Sequence, residues 1–254
     1  MADLEIFGVP FSNYVRSVRM LCEEKGVPYK LTPSLPQSPE VKAIHPAGQI
    51  PVAKHGDVAL FESKAIATYI DRAFPGTMFI PKDPVAHALV EQWVSYGNVK
   101  VDRWIMREFV VPSVFFDKAK GPDTAKINAA LPEIEKCCAA LDSAVAKTGY
   151  LAGGELTYAD MNVLPMLATL QGFPAGKSLM DKFPSLTAYV ARLSERPSFK
   201  NTAPPPRSQR VRKPVLRKNT GIMTISTWCR SWSASRWSNQ SWSSTTPARN
   251  APTI

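Results

Sequence analysis

Alternating apolar stretches are confined to the first 60 residues of this chain, and that confinement constrains its fold more than any other feature. "LEIFGV" (4–9) alternates large apolar side chains with others and reads as a strand, which Pro10 breaks. The stretch 14–25 then puts Val15, Val18, Leu21 and Cys22 on one helical face and stops at Gly26. "VPYKLT" (27–32) suits a second strand, and "PVAKHGDVAL" (51–60) suits two short strands turning at Gly56-Asp57. "FESKAIATYIDRAF" (61–74) reads as a helix closed by Pro75-Gly76. Strand, helix, strand, hairpin and helix make a small α/β domain over residues 1–76.

Beyond "GTMFIPKDP" (76–84) helical spacing takes over, so residues 77–84 are expected to be a linker and residues 85–203 an all-helical domain. One helix is expected over 85–107 and another over 124–146. A third begins at "LTYADMNVLPMLATL" (156–170). There Thr157 and Asp160 form a loose capping box, with Asp where Glu or Gln is usual, and the expected role is that of a helix start alone, worth about 1 kcal/mol.

With 254 residues and 44% apolar content the chain can bury a sizeable core. Its formal charge of +10 is misleading, because nine of its 31 basic residues and none of its 21 acidic ones lie in 204–254, leaving the body nearly neutral. That tail is also rich in Ser, Thr and Pro and holds Trp228, Trp232, Trp237 and Trp242 without a steady period, so it is expected to be a disordered basic tail. Basic residues interleaved with tryptophans could grip single-stranded nucleic acid. A solvated tail, or an accidental C-terminus such as a shifted reading frame, is the favoured account, and nucleic acid is not an expected partner. Cys22, Cys137, Cys138 and Cys229 show neither metal-ligand spacing nor a disulfide framework, so no metal is expected and a reducing compartment fits. No signal-peptide pattern or membrane-spanning run is read, and the expected location is the cytoplasm.

Four stretches in order, "FGVPFSNYVRSVR" (7–19), "HPAGQIPV" (45–52), "LFESKAIATYI" (60–70) and "LTYADMNVLP" (156–165), resemble the soluble glutathione transferases, closest to their phi-like, serine-type branch. "GQIPV" alone is a weak signal. Pro51 followed eleven residues later by Glu62-Ser63, with the serine motif upstream and the helix cap downstream, is specific in combination. The resemblance covers residues 1–200 and implies a thioredoxin-like N-terminal domain that binds glutathione, followed by an all-helical domain supplying most of an apolar pocket. It implies an enzyme with glutathione as co-substrate and no resident cofactor. The thiolate would attack a small hydrophobic electrophile or reduce an organic hydroperoxide. Members are usually homodimers.

Only the thiolate is a strong nucleophile, and a thiol with pKa near 8.5 is mostly protonated at neutral pH. Lowering that pKa by about two units takes roughly 2.7 kcal/mol, within reach of one or two hydrogen bonds and the positive end of a helix. Ser12, after the strand and before the helix, stands at the family's activating serine; the competing role is an N-cap. Tyrosine-type members carry their hydroxyl near the end of the first strand, where this chain has Phe7. Asn13 could cap the helix, and Tyr14 falls in its first turn. A cysteine at position 12 would suit thiol exchange, so serine favours conjugation. Arg16 matches a family arginine that could support the first turn or add positive potential, the alternative being a solvated arginine.

Ile50-Pro51 resembles the family's cis-proline turn, where the residue before proline offers its backbone to the cysteinyl part of glutathione. Ser63 and the start of its helix would hold the γ-glutamyl carboxylate, Glu62 would face the α-amino group, and Gln49 matches a further contact. One departure stands out: where the phi-like branch carries a His-Lys pair near the glycyl end, this chain has Pro36-Gln37. His45 and Lys42 are candidate substitutes, against a surface histidine and a solvated lysine. Phe11, Met106, Phe115 and Phe116 are candidates for the electrophile pocket, against ordinary core aromatics. A different class of function also fits, a non-catalytic transferase-like module for ligand carriage or protein docking.

Overall fold

The computed structural model describes residues 3–205. Its first part runs β1 (Leu4–Gly8), α1 (Asn13–Lys25), β2 (Tyr29–Pro33), α2 (Pro39–Lys42), β3 (Val52–His55), β4 (Val58–Phe61) and α3 (Ser63–Ala73). The strands form one sheet in the order β2-β1-β3-β4. β1 and β2 are parallel, a pairing that needs a crossover, and α1 supplies it. β3 is antiparallel to both β1 and β4, and Gly56, at φ 59°, lets the chain turn tightly between β3 and β4. This is the expected thioredoxin-like arrangement. Only the single-turn α2 was not anticipated, since four residues carry no readable period.

The expected face of α1 is buried: Val15, Val18, Leu21 and Cys22 are all fully enclosed. Arg16, Ser17, Arg19 and Met20 are buried as well, because α1 lies against α3 and also against α7 (Tyr158–Gln171) and α10 (Pro197–Asn201). Arg16 is therefore not the solvated arginine of the alternative reading. Its Nη2 donates to the Phe199 carbonyl at 2.9 Å, and its guanidinium lies 3.7 Å above the Phe199 ring. Burial, with Arg19 beside it, pulls its pKa down to about 10.

The helical part comprises α4 (Pro84–Tyr96), α5 (Val111–Val114), α6 (Thr124–Thr148), α7, α8 (Pro174–Met180), α9 (Pro184–Ser194) and α10. The helix expected over 85–107 is longer and changes its winding, since Gly97–Val110 is a π-helical segment joining α4 to α5. At the start of that segment α7 lies close against the chain. A Cβ on Gly97 would lie 2.9 Å from Asn162 Nδ2, and that amide donates to Asn98 Oδ1 at 3.0 Å. α6 is capped by Asp123, whose carboxylate accepts the Lys126 N–H at 3.0 Å, and closes at the left-handed Gly149. α8, α9 and α10 were not foreseen, although each opens on a proline at its first turn, a position that proline favours.

Helix α7 is the hub of the helical part, packed against α1, α4, α8, α9 and the π-helical segment. Its start does more than the cap expected there. Asp160, fully buried, accepts from the Thr157 N–H and hydroxyl, and also from the Leu151 N–H and the Tyr189 hydroxyl. One carboxylate thus joins the cap to the loop before α7 and to α9.

The expected disordered tail with its four tryptophans and Cys229 lies outside the described residues, apart from Pro204 and Pro205. Cys22, Cys137 and Cys138 are buried free thiols, and burial pushes Cys22 and Cys138 up to about 12. Among the described residues no group of three or more His, Cys, Asp or Glu side chains could hold a metal ion, and no helix is long and apolar enough to cross a membrane.

Candidate active site

Sheet register brings the sequence motifs to one place. Phe7 pairs with Val52 and Val52 with Phe61, so the end of β1, the start of β3 and the end of β4 lie side by side. The segments leading out of or into those strand ends carry Ser12, Ile50-Pro51 and Glu62-Ser63. A Cβ on Gly8 would come within 3.5 Å of Ile50 Cβ, which shows how closely the first two segments approach. α1 and α3 both begin at this end of the sheet, so two helix N-termini, each the positive end of a dipole, face the same region.

Ser12 is the N-cap of α1: its Oγ accepts the Val15 N–H at 3.4 Å, a long contact. The N-cap and thiolate-stabilising roles are compatible, because accepting that N–H occupies a lone pair and leaves the hydroxyl proton for another partner. Asn13 is the first residue inside the helix, not its cap. Tyr14 is turned to other work, since its hydroxyl faces the buried Asp102 of the π-helical segment, and burial together with that carboxylate raises its pKa well above the ordinary tyrosine value. Asp102 in turn accepts from Arg107 Nε at 2.7 Å.

The Ile50-Pro51 peptide is cis, as expected. Glu62 has φ 67°, in the left-handed region that costs a non-glycine residue energy, and its side chain is largely exposed. Ser63, the first residue of α3, is buried at 6% exposure. Gln49 is half-buried and Lys42 exposed.

His45 departs from the surface alternative. It is 4% exposed, its Nδ1 accepts the Ala47 N–H at 3.0 Å, and its ring lies 4.9 Å from that of Phe61. Its Nε2 stands 3.7 Å from Glu62 Oε1, linking the loop before Pro51 to the start of α3. Gln37, at the place of the family's missing His-Lys pair, closes that same loop: its amide donates to the Ala47 carbonyl at 2.7 Å.

Of the pocket candidates, Phe11, Phe115 and Phe116 are exposed and so are not core aromatics, whereas Met106 is half-buried against the core. A hollow of about 290 Å³ at the far end of α3, lined by Asp71, Arg72, Phe74, Gly76, Met78 and Lys82, shares no residue with this constellation. Sequence reasoning missed two residues that brace it. One is Phe199, the seat of Arg16. The other is Tyr158, whose hydroxyl donates to the Ser63 carbonyl at 3.2 Å. Tyr158 belongs to the stretch "LTYADMNVLP", but only the fold brings it to Ser63.

Comparison with known proteins points the same way as the geometry. The glutathione S-transferase N-terminal domain family matches residues 6–78, and the glutathione S-transferase C-terminal domain family matches residues 106–201. Glutathione S-transferase 3 of Zea mays is 31% identical over 224 residues, which is 82% of this chain and 99% of that protein. The crystal structure of glutathione transferase F7 from Populus trichocarpa superposes with a TM-score of 0.70 at 28% identity, covering 78% of this chain and 97% of that one. A glutathione S-transferase-I structure bound with lactoylglutathione gives a TM-score of 0.72 at 25% identity, covering 80% and 99%.

Proposed function

This chain belongs to the glutathione S-transferase family, with phi-class plant enzymes among its relatives, and from that premise we propose that it conjugates glutathione to hydrophobic electrophiles, with Ser12 stabilising the thiolate. The observation that carries the reading is the convergence of Ser12, the cis Ile50-Pro51 turn and Glu62-Ser63 at one end of the sheet, before two helix N-termini.

In this reading glutathione lies alongside Ile50 like an added strand, its cysteinyl backbone paired with the N–H and C=O of that residue. Its γ-glutamyl carboxylate meets the Ser63 hydroxyl and the free N–H groups of the first turn of α3. Glu62 faces the α-amino group, and Gln49 adds a further contact. The sulfur then sits before α1, where the Ser12 O–H donates to it. A hydrogen bond to an anion is worth about 1.5–3 kcal/mol, which lowers the thiol pKa by about 1–2 units. The thiolate forms a carbon–sulfur bond with the electrophile, and the leaving group departs with its bonding electrons. The protein's share is orientation and a poised anion. With an organic hydroperoxide the same thiolate would take the terminal oxygen and release the alcohol; a second glutathione would then give the disulfide and water.

Phe11, Met106, Phe115 and Phe116 are assigned to the electrophile's side of the site, with the exposure of the three phenylalanines in support. Two copies of the chain are expected to pair as a homodimer, and the cysteine usage fits the cytoplasm.

The test is titration of the thiolate absorbance of bound glutathione in the parent, in Ser12→Ala and in Ser12→Gly. Glycine caps a helix almost as well as serine, so Ser12→Gly removes the hydroxyl with little cost to α1. Both variants should raise the bound-thiol pKa by about 1–2 units. Variants that titrate like the parent would eliminate Ser12. A parent that holds glutathione but ionises it no better than water does would leave ligand carriage or protein docking as the function.

A further inference from the structure

Tyr158 opens α7 and is completely buried between the two halves of the chain. Its N–H donates to the Phe79 carbonyl at 2.9 Å, which seats it beside the segment joining those halves. Its hydroxyl reaches two elements of the thioredoxin-like part: the Ser63 carbonyl on α3 at 3.2 Å and Ser17 Oγ on α1 at 3.2 Å. Ser17 Oγ also lies 3.0 Å from the Tyr14 carbonyl, its other acceptor. Two hydroxyl protons therefore serve three contacts, and if Ser17 gives its proton to either partner, the Tyr158 proton remains available to Ser63. Burial pushes the phenol pKa up to about 12, so the hydroxyl stays a donor across the neutral range.

What it holds is not an ordinary helix start. Glu62 at φ 67° is in a backbone conformation that persists in a non-glycine residue only where the surroundings over-determine it. The Ser63 carbonyl is the next one along the chain, and a donor fixed in a packed helix interface limits how far that turn can relax. Tyr158 makes no contact with the ligand in the reading above; it sets the peptide from which the ligand's contacts come.

Resting on that reading, we propose that Tyr158 is a positioning residue for the γ-glutamyl subsite, holding the Ser63 carbonyl so that the strained Glu62-Ser63 turn keeps its shape for glutathione.

Dissociation constants measured by calorimetry for glutathione and for cysteinylglycine, which lacks the γ-glutamyl group, test this. Tyr158→Phe removes only the hydroxyl. It is expected to weaken glutathione about five- to tenfold, the order of one neutral hydrogen bond, and to leave cysteinylglycine and the bound-thiol pKa unchanged. Ser17→Ala leaves Ser63 as the partner of the phenol and is expected to bind glutathione like the parent. Glu62→Gly relieves the left-handed strain, so adding Tyr158→Phe in that background should bring little further loss. The proposal is overturned if Tyr158→Phe weakens both ligands alike, if Ser17→Ala reproduces its effect, or if its penalty is undiminished beside Glu62→Gly. A parent that does not bind glutathione sinks the family-site reading itself; a parent that binds well while Tyr158→Phe matches it sinks only the role of Tyr158.

Discussion

Replacing Asp160 by asparagine should destabilise the fold far more than loss of a helix cap would. All four groups around this carboxylate are donors: the Leu151 N–H at 2.9 Å and Tyr189 hydroxyl at 2.8 Å on Oδ1, and the Thr157 N–H at 2.8 Å and hydroxyl at 3.0 Å on Oδ2. An asparagine amide can put its oxygen on only one side. The two hydroxyls can rotate and accept, but an N–H cannot, so either amide orientation leaves one buried backbone N–H facing an NH2 group. An unsatisfied buried donor costs about 1–3 kcal/mol, and the remaining bonds lose the help of a charge. We expect a total loss of about 2–4 kcal/mol, against about 1 kcal/mol for a cap alone. Urea unfolding of the parent and Asp160→Asn at neutral pH measures it. Burial raises the Asp160 pKa while the four donors pull it back toward the anion, so the same experiment reports which form the fold holds. A loss below about 0.5 kcal/mol would refute the reasoning, because a protonated carboxyl already presents an O–H where asparagine presents NH2.

Glu24 accepts from Arg196 Nε and Nη2 at 2.6 and 2.7 Å and from Ser198 Oγ at 2.5 Å; burial alone would raise its pKa, but these donors bring it below the ordinary value of 4.5. A depressed carboxylate contributes stability above its unfolded pKa and loses it as pH falls through the folded value, so unfolding midpoints should drop below pH 4.5. Glu24→Gln should flatten that acid limb and cost about 1 kcal/mol at pH 7, a figure kept low because Arg196 is partly exposed; an unchanged acid limb would refute it. Gly176→Ala would set a Cβ 2.3 Å from the Leu170 carbonyl oxygen, forcing α8 away from α7. Thermal melts should show a loss of about 2–3 kcal/mol, and a variant as stable as the parent would show that α8 yields freely.

Most of the first part of the fold was legible along the chain. β1, α1 and the hairpin are written in nearest-neighbour spacing, a period of two or one near 3.6 closed by Pro10, Gly26 and Gly56-Asp57. The cis bond at Ile50-Pro51 and the place of Ser12 at the start of α1 came with the motifs for the same reason, since each depends on a few consecutive residues. Short helices such as α8 and α10 escaped because five to seven residues hold too little of a period, though their prolines marked the starts. The change of winding at Gly97 escaped because an apolar period near 3.6 does not tell a π-helical stretch from an α-helical one, and the close neighbours there, Asn162 and Val163, belong to another helix.

The amino-acid order alone thus settled the strands, the principal helices and the serine at the mouth of α1, because those depend on backbone preferences and on which face of a segment is apolar. Tertiary structure alone decided where the polar side chains went. Arg16 meets Phe199 across 183 positions and Tyr158 meets Ser63 across 95, and His45 is enclosed beside Glu62 where local spacing suggested solvent. Such partners are chosen by the requirement that a buried donor find an acceptor, and which acceptor lies within reach is known only once the sheet and helices have packed.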